Sequence, residues 1–278
     1  MKFDVIVGNP PYQDGTGNTG DHLWDKFVIK SISLLKCNGY LCYVHPSAWR
    51  GFGRNSKEVR ELIRSRQLHY LELHNEKDGL TTFGAETRYD WYILQNKPSR
   101  GTTLVIGQDG EKKKLAINDM PFIPNGMFDE IFALVAKDGE EKCQVLRSAS
   151  DYHTQKPWVS KSEEGNHKYP CVYSIAKDGT PTFCYSSVND KGHFGIPKVI
   201  FAGGRISSAN YIVDSKGEYG MTEFAKGVVD SAANLPKIAE AMRTEKFKRI
   251  MEMCAVGFLE INKDILATFR KDFWKAFV

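Results

Sequence analysis

The first 46 residues constrain the fold more than any other part of the chain. Residues 3–7 (FDVIV) are a short, β-branched run ended by Gly8, the pattern of a buried strand. From Asp21 to Lys36 the apolar residues Leu23, Trp24, Phe27, Val28, Ile32 and Leu35 recur at three- and four-residue spacing. That spacing predicts an amphipathic helix, with Asp21 as N-cap and Asn38-Gly39 as its stop. Residues 40–44 (YLCYV) read as a second buried strand, closed by His45-Pro46-Ser47-Ala48-Trp49. Strand, helix and strand within about forty residues make a βαβ unit, whose strands are parallel and whose crossover is right-handed.

The turn after the first strand carries the chemistry. Asn9-Pro10-Pro11-Tyr12 stands at a strand's carboxyl end, where open α/β sheets place their ligands. Two prolines stiffen the turn and lack N–H groups, so the Pro10 carbonyl projects as a free acceptor. The Asn9 side-chain oxygen is a second acceptor. Two acceptors converging on one amino group fix its hydrogens and aim its nitrogen lone pair at an electrophile. Tyr12 adds a flat face on which a base turned out of its helix can stack. An electrophile as activated as a sulfonium methyl needs no acid, base or covalent nucleophile, so catalysis rests on positioning. Average residue usage places this tetrapeptide by chance in about one chain in a thousand of this length.

Further along, Ser56 to Arg66 predicts a second helix with Val59, Leu62 and Ile63 on its apolar side. Residues 68–74 (LHYLELH) and 87–97 (TRYDWYILQNK) read as strands. In the latter, Tyr89, Trp91 and Ile93 alternate with Arg88, Asp90 and Tyr92, as in a half-buried strand near a sheet edge. Residues 98–120 are polar and hairpin-like, and residues 123–139 suggest a helix with an Asn/Gly start. From about residue 140 short strands, aromatics and glycine turns dominate, followed by one long helix from about Pro236 to Met253. The expected organisation is an α/β segment over 1–116 and a mixed α+β segment over 117–278.

Composition narrows the class. At 278 residues, 41% hydrophobic and 26% charged, the chain is that of a soluble globular protein. A net charge of +4 permits a nucleic-acid partner without arguing for one. No apolar run approaches the roughly 18 residues that span a bilayer, and the beginning is not a signal peptide. The six cysteines form no CxxC pair and the seven histidines no HxxxH group, so no metal site or disulfide framework is expected. The expected compartment is the reducing cytoplasm.

Taken together, FDVIVGNPPY, a helix, and then NGYLCYVHPSAW (residues 38–49) resemble the catalytic half of amino-methyltransferases, most closely the N6-adenine DNA methyltransferases of restriction–modification systems. The resemblance implies the carboxyl-terminal half of a Rossmann-like methyltransferase sheet. It also implies that Asn9, Pro10, Pro11 and Tyr12 grip a flipped adenine while S-adenosylmethionine donates the methyl group. TRYDWYILQNK resembles the family's later strand, which sets an aromatic against the base; Tyr89, Trp91 and Tyr92 are the candidates. Residues 197–206 and 217–225, with 261–274, resemble a target-recognition region, which implies double-stranded DNA as partner.

The family's cofactor motif, a strand with a glycine-rich turn and then an acidic residue, is expected upstream of Asn9, where only eight residues stand. The glycine clusters at 15–20 and 203–204 do not follow that pattern. The first suits a loop that closes over the site. The chain alone is therefore expected to bind S-adenosylmethionine weakly or not at all. Three arrangements fit: a split enzyme whose partner subunit carries the glycine-rich motif, a piece of a longer enzyme, or a relative that binds DNA without catalysis. Methylation of a glutamine side-chain amide in protein is a rival, because an amide NH2 fits the same two acceptors. For DNA contacts, basic residues beside aromatics or in turns single out Arg50, Arg54, Lys156, Arg205 and Arg270.

Overall fold

The βαβ unit is present, as β1 (Phe3–Gly8), α1 (Leu23–Leu34) and β2 (Leu35–Pro46), with β1 and β2 parallel. These elements come from a computed structural model that describes residues 1–13, 23–53, 55–257 and 259–278. Asp21, the loop at 15–20 and Arg54 lie outside the described residues. The Asn38-Gly39 pair does not stop the helix. The strand has already begun at Leu35, and Asn38 takes a positive φ of 62° inside β2, opposite a register shift between Phe3 and Val5.

Two compact units divide the chain, Met1–Glu130 and Ile131–Val278. The division falls later than residue 116 because residues 123–125 are tied into the first unit. Ile123 donates its N–H to the Arg50 carbonyl at 3.2 Å, and Gln108 donates its own to the Asn125 carbonyl at 2.7 Å.

The first unit adds α2 (Lys57–Arg64), β3 (Arg66–His74), α3 (Glu76–Phe83), β4 (Tyr89–Pro98), β5 (Thr103–Ile106) and β6 (Lys112–Leu115). Its sheet runs in the order β1-β2-β4-β3-β5-β6. The strands β1, β2, β3 and β5 point one way, while β4 and β6 run against them. Thus β4 is not an edge strand as its alternation suggested, but sits between β2 and β3.

Strand register explains that alternation. The row Gly8, Tyr43, Tyr92 and Leu71 lies on the face that packs against α1 and α2, where Tyr92 and Leu71 are fully buried. The neighbouring row Val7, Cys42, Ile93 and Tyr70 lies on the opposite face and is exposed or half-buried throughout. Among the described residues of the first unit, α1 and α2 pack on one face alone, so an interior strand alternates as an edge strand would.

The helix α3 was not legible as a helix, being eight residues long with Gly79 inside it. It is fixed at both ends. Asn75 Oδ1 accepts from the Lys77 and Asp78 N–H groups, Asp78 answers to the Asn75 N–H, and Gly84 closes the helix in the left-handed conformation at φ 70°. Gly79 permits the close approach of Thr87, whose carbonyl oxygen would lie 2.1 Å from an added Cβ. The helix expected over 123–139 is confined to α4 (Phe128–Phe132).

The second unit contains two four-stranded sheets. One runs Gly220–Met221, Tyr169–Ile175, Pro181–Ser186, Val159–Ser160; the other runs Tyr211–Asp214, Lys198–Ala202, Ala225–Val229, Gln144–Arg147. Val172, Ile200, Met221 and Ala225 pack between them. A buried Lys198–Asp214 ion pair of 2.7 Å sits in this core, with the Lys198 ammonium also donating to the His193 and Ile196 carbonyls. The single helix expected over 236–253 is two, α5 (Leu235–Arg243) and α6 (Glu245–Cys254). Thr244 is extended between them and caps the second through its Oγ1, which accepts from the Phe247 N–H at 3.2 Å.

Candidate active site

The Asn9-Pro10-Pro11-Tyr12 turn leaves the carboxyl end of β1 with Pro10 buried, Asn9 and Pro11 exposed and Tyr12 half-buried. Gly8 brings this turn close over Tyr43, whose ring would lie 3.1 Å from an added Cβ. Tyr43 is held in turn by a 2.6 Å hydrogen bond between its hydroxyl and Ser31 Oγ. The Tyr12 carbonyl accepts from the Leu23 N–H at 3.3 Å, which ties the turn to the start of α1.

The Tyr12 ring meets Phe83 edge-on at 6.1 Å. Phe83 meets Tyr89 edge-on at 4.9 Å, and Tyr89 stacks on His74 at 4.4 Å with the rings 3° from parallel. An aromatic row thus runs from the turn to the ends of β3 and β4. The Tyr12 hydroxyl is shielded from solvent with no hydrogen-bond partner among the described residues. Burial, and after it the neighbouring Tyr89 and Asp90, push its pKa up to about 12. Tyr12 is accordingly a neutral phenol at pH 7 and neither base nor nucleophile. It offers a ring. Phe83 and His74 were not singled out in the sequence; Phe83 belongs to the helix that was missed, and His74 pairs through Nδ1 with Asp78 on that helix at 3.3 Å.

Of the three base-stacking candidates, the structure sets Tyr89 in the same aromatic row as the turn. Trp91 lies on the open face, 4.6 Å from Tyr70. Tyr92 is a core residue with no exposure, its hydroxyl donating to His45 Nε2 at 3.0 Å. It has no face to offer a base. His45 itself is stacked on Trp24 at 4.5 Å, and burial lowers its pKa to about 4. Its Nδ1–H donates to the Pro46 carbonyl at 2.9 Å.

Arg50 requires a correction. It is not a surface cation but is 1% exposed, with Nε donating to Asp90 Oδ2 at 2.7 Å. Its Nη1 donates to the Ile123 carbonyl at 2.8 Å and its Nη2 to Asn125 Oδ1 at 2.7 Å. Trp49 Nε1 donates to the same Asp90 oxygen at 2.9 Å. Burial pushes the Asp90 carboxyl up and the Arg50 guanidinium down, and each partner's charge opposes the other's shift. This knot braces the site end of β4 and is unavailable to a phosphate.

In the second unit Lys156 lies over the Trp158 ring at 5.5 Å, with Lys191 over the same ring at 5.8 Å. Arg205 is exposed in the turn made by Gly203 and Gly204, the latter at φ 144°, and lines a small cleft with Lys177 and Asn210. Arg270 lines a larger cleft of about 540 Å³ with Lys271, Lys275 and Trp274. Glu140, Glu141, Asp230 and Asp272 line the same cleft, and Arg270 Nε is 3.3 Å from Asp272, so its field does not suit a polyanion.

Among the described residues, the turn offers hydrogen-bond acceptors and an aromatic face, and the strand ends beside it offer no glycine-rich turn. The turns that leave β2 and β3 beside the Asn9 turn are Pro46 to Arg50 and Asn75-Glu76, without a glycine-rich cradle. Among the described residues no cluster of His, Cys, Asp and Glu is placed to hold a metal ion, and no helix is long and apolar enough to cross a membrane.

Residues 1–78 match the family described as Eco57I restriction-modification methylase. An uncharacterized adenine-specific methylase of Mycoplasma pneumoniae is 28% identical over 174 residues, covering 60% of this chain and 39% of that protein. A Methanocaldococcus jannaschii protein, provisionally named a type II restriction enzyme and methyltransferase, is 26% identical over 165 residues, covering 54% of this chain and 13% of that one. The chain thus spans well under half the length of the curated relatives it matches. Among solved structures, the type IIL restriction-modification enzyme MmeI in complex with DNA matches 95% of this chain and 45% of its own, with a TM-score of 0.51 and 8% identity, a likeness of fold. The resemblance to restriction–modification adenine methylases and the α/β fold class both stand.

Proposed function

We propose that this chain is the base-holding and DNA-reading part of an S-adenosylmethionine-dependent DNA adenine-N6 methyltransferase. One observation carries the reading: an exposed Asn9 and half-buried Tyr12 at the carboxyl end of a parallel strand, braced by Phe83 and Tyr89. Asn9 Oδ1 and the Pro10 carbonyl accept the two hydrogens of the adenine amino group and direct its nitrogen outward. Tyr12 stacks on the base, and Tyr89 holds Phe83 behind it. S-adenosylmethionine, when bound, supplies an activated methyl group. No residue of the turn takes up the amino proton, because Tyr12 is already protonated, so that proton leaves to water. Holding the amine in line is the whole contribution, and well-oriented reactants can save about 7–11 kcal/mol of barrier.

The donor's binding half is supplied by protein beyond the residues described, and the second unit reads double-stranded DNA through Arg205 and Lys156. An enzyme acting on chromosomal DNA would work in the cytoplasm. A second reading is a DNA-binding module without catalysis. One experiment separates them. In a complex that methylates DNA, Asn9→Ala should abolish N6-methyladenine while DNA binding stays within about twofold. Methylation that survives the change refutes the assigned role of Asn9; no methylation with any partner leaves the module.

A further inference from the structure

Phe224 and Tyr173, in the second unit, are exposed rings that the site above does not use. Phe224 is 46% and Tyr173 38% exposed, and they meet edge-on at 5.1 Å with their planes at 70°. A lone exposed aromatic is ordinary on a protein surface, but this pair stands on a stiff base. Tyr173 follows the buried Val172 in the strand Tyr169–Ile175, and Phe224 precedes the buried Ala225, which begins the strand Ala225–Val229. Thr222 ties the two together, its N–H and its hydroxyl both donating to the Val172 carbonyl, at 3.0 and 3.2 Å. The Ala225 N–H closes the turn on the Thr222 carbonyl at 3.2 Å. Phe224 is thus carried by a short turn pinned at its base.

The neighbours of this turn say what it fits. The Phe224 carbonyl accepts from the Gly203 N–H at 2.8 Å, which sets the Gly203-Gly204-Arg205 turn against it. Arg205 is exposed there, and Lys177, also exposed, lines the same small cleft. Glu223, next to Phe224, accepts from the Thr154 N–H at 2.9 Å and the Thr154 hydroxyl at 2.6 Å, and lies 3.6 Å from His153. The Lys156 N–H donates to the His153 carbonyl at 2.9 Å, so the loop bearing Lys156 and Trp158 is fixed to the same turn. Glu260 is the acid beside Gly203, and Glu223 is already engaged with Thr154. Cations therefore flank the aromatic pair through both attachments. At Gly203 and Gly204 no side chain holds a second backbone away. Apolar rings between phosphate-seeking cations match a duplex opened at one base step.

We propose that Phe224, backed by Tyr173, is an apolar wedge that enters a base step of double-stranded DNA from the minor groove. It unstacks that step and kinks the duplex, which brings the DNA on either side onto Arg205 and Lys156. The proposal rests on the DNA-reading role given to the second unit above; the wedge itself rests on the exposed pair and its flanks.

In the test, the full chain selects duplexes from a randomised pool, and the enriched sequences are placed in a closed circular plasmid. Topoisomerase I relaxes the plasmid with the chain bound, and the change in linking number reports unstacking at the bound sites. The wild-type chain should lower the linking number in proportion to the protein bound. Phe224→Ala should remove most of that change per bound chain and weaken binding about tenfold, a loss of about 1.4 kcal/mol, with unchanged circular dichroism. Tyr173→Ala should act in the same direction, so the result does not hang on the folding of one variant. Neither change touches a charge, so the salt dependence of binding should hold. Arg205→Ala instead should lower the salt slope by about one and keep the linking change per bound chain. Phe27→Ala, at a 44% exposed ring on α1, is the control and should alter nothing. Binding without a change in linking number, or a change that survives Phe224→Ala, overturns the wedge and leaves the DNA reading intact. If no duplex is retained from the pool, the DNA reading and the wedge fall together.

Discussion

Replacing Arg50 by Ala separates a structural cation from a DNA-binding one. The change removes three hydrogen bonds, to Asp90, Ile123 and Asn125, and leaves a carboxylate with no exposure and only Trp49 as donor. Breaking a buried ion pair costs about 3–5 kcal/mol, a large share of a typical domain's stability of roughly 5–15 kcal/mol. The expected drop in the urea midpoint is on the order of 1–2 M. The deficit should shrink on acidification. Burial already pushes the Asp90 carboxyl up, so without Arg50 it binds its proton more tightly folded than unfolded, and stability relative to wild type falls as pH rises. Exchanging both partners, as Arg50→Met with Asp90→Asn, should restore at least half of the loss, since an apolar side chain no longer strands a charge. The assay is urea unfolding at several pH values, with DNA affinity measured against salt for the folded fraction. The reasoning fails if Arg50→Ala unfolds within 1 kcal/mol of wild type while the salt slope of DNA binding falls by about one, the mark of a lost phosphate contact.

Other predictions follow the same geometry. His45 is held neutral with a pKa lowered from 6.5 to about 4, so wild-type stability should be intact above pH 6.5 and fall by roughly 3 kcal/mol as pH drops to 4. His45→Phe should flatten that part of the profile in urea unfolding. Tyr12→Ala should cost about 1–3 kcal/mol in kcat/KM of a reconstituted methylase through lost stacking. Tyr12→Phe should cost little and leave the pH–rate profile unmoved, because the hydroxyl has no partner among the described residues; a new pH limb would refute this. Gly79→Ala drives a Cβ against the Thr87 carbonyl and should destabilise by about 1–3 kcal/mol, seen as faster proteolysis within residues 75–88.

What could be read from sequence was local. The βαβ unit, the Asn9 turn and the hairpin of β5 and β6 each lie within a short window, where periodicity and turn residues act directly. What escaped was set by distant partners. Arg50 sits in an aromatic and basic stretch that looks made for phosphates, and only Asp90, forty residues away, shows that its charge is spent inside. The division at Thr244 depends on one hydroxyl capping a new helix, within a stretch whose apolar spacing runs on unbroken. The helix α3 did carry a signal in Asn75 and Asp78, three apart, but its polar composition and Gly79 masked it.

The alternation in β4 is the most instructive of these. Tyr89, Trp91 and Ile93 against Asp90 and Tyr92 suggested an edge, because edges and half-covered faces leave the same period-two pattern in a strand. Pairing on both sides rules out the edge, so the pattern reports one packed face and one that is half-open among the described residues of the first unit. The same inference applies to β2, where Tyr40, Cys42 and Val44 alternate with Leu41, Tyr43 and His45. At β1 it reaches its limit: Phe3, Val5 and Val7 are exposed although apolar, at 39%, 54% and 75%. Three neighbouring strands therefore carry apolar residues on the face opposite α1 and α2, exposed or half-buried among the described residues. A contiguous row of exposed apolar residues is the surface feature that marks a binding face on a folded protein.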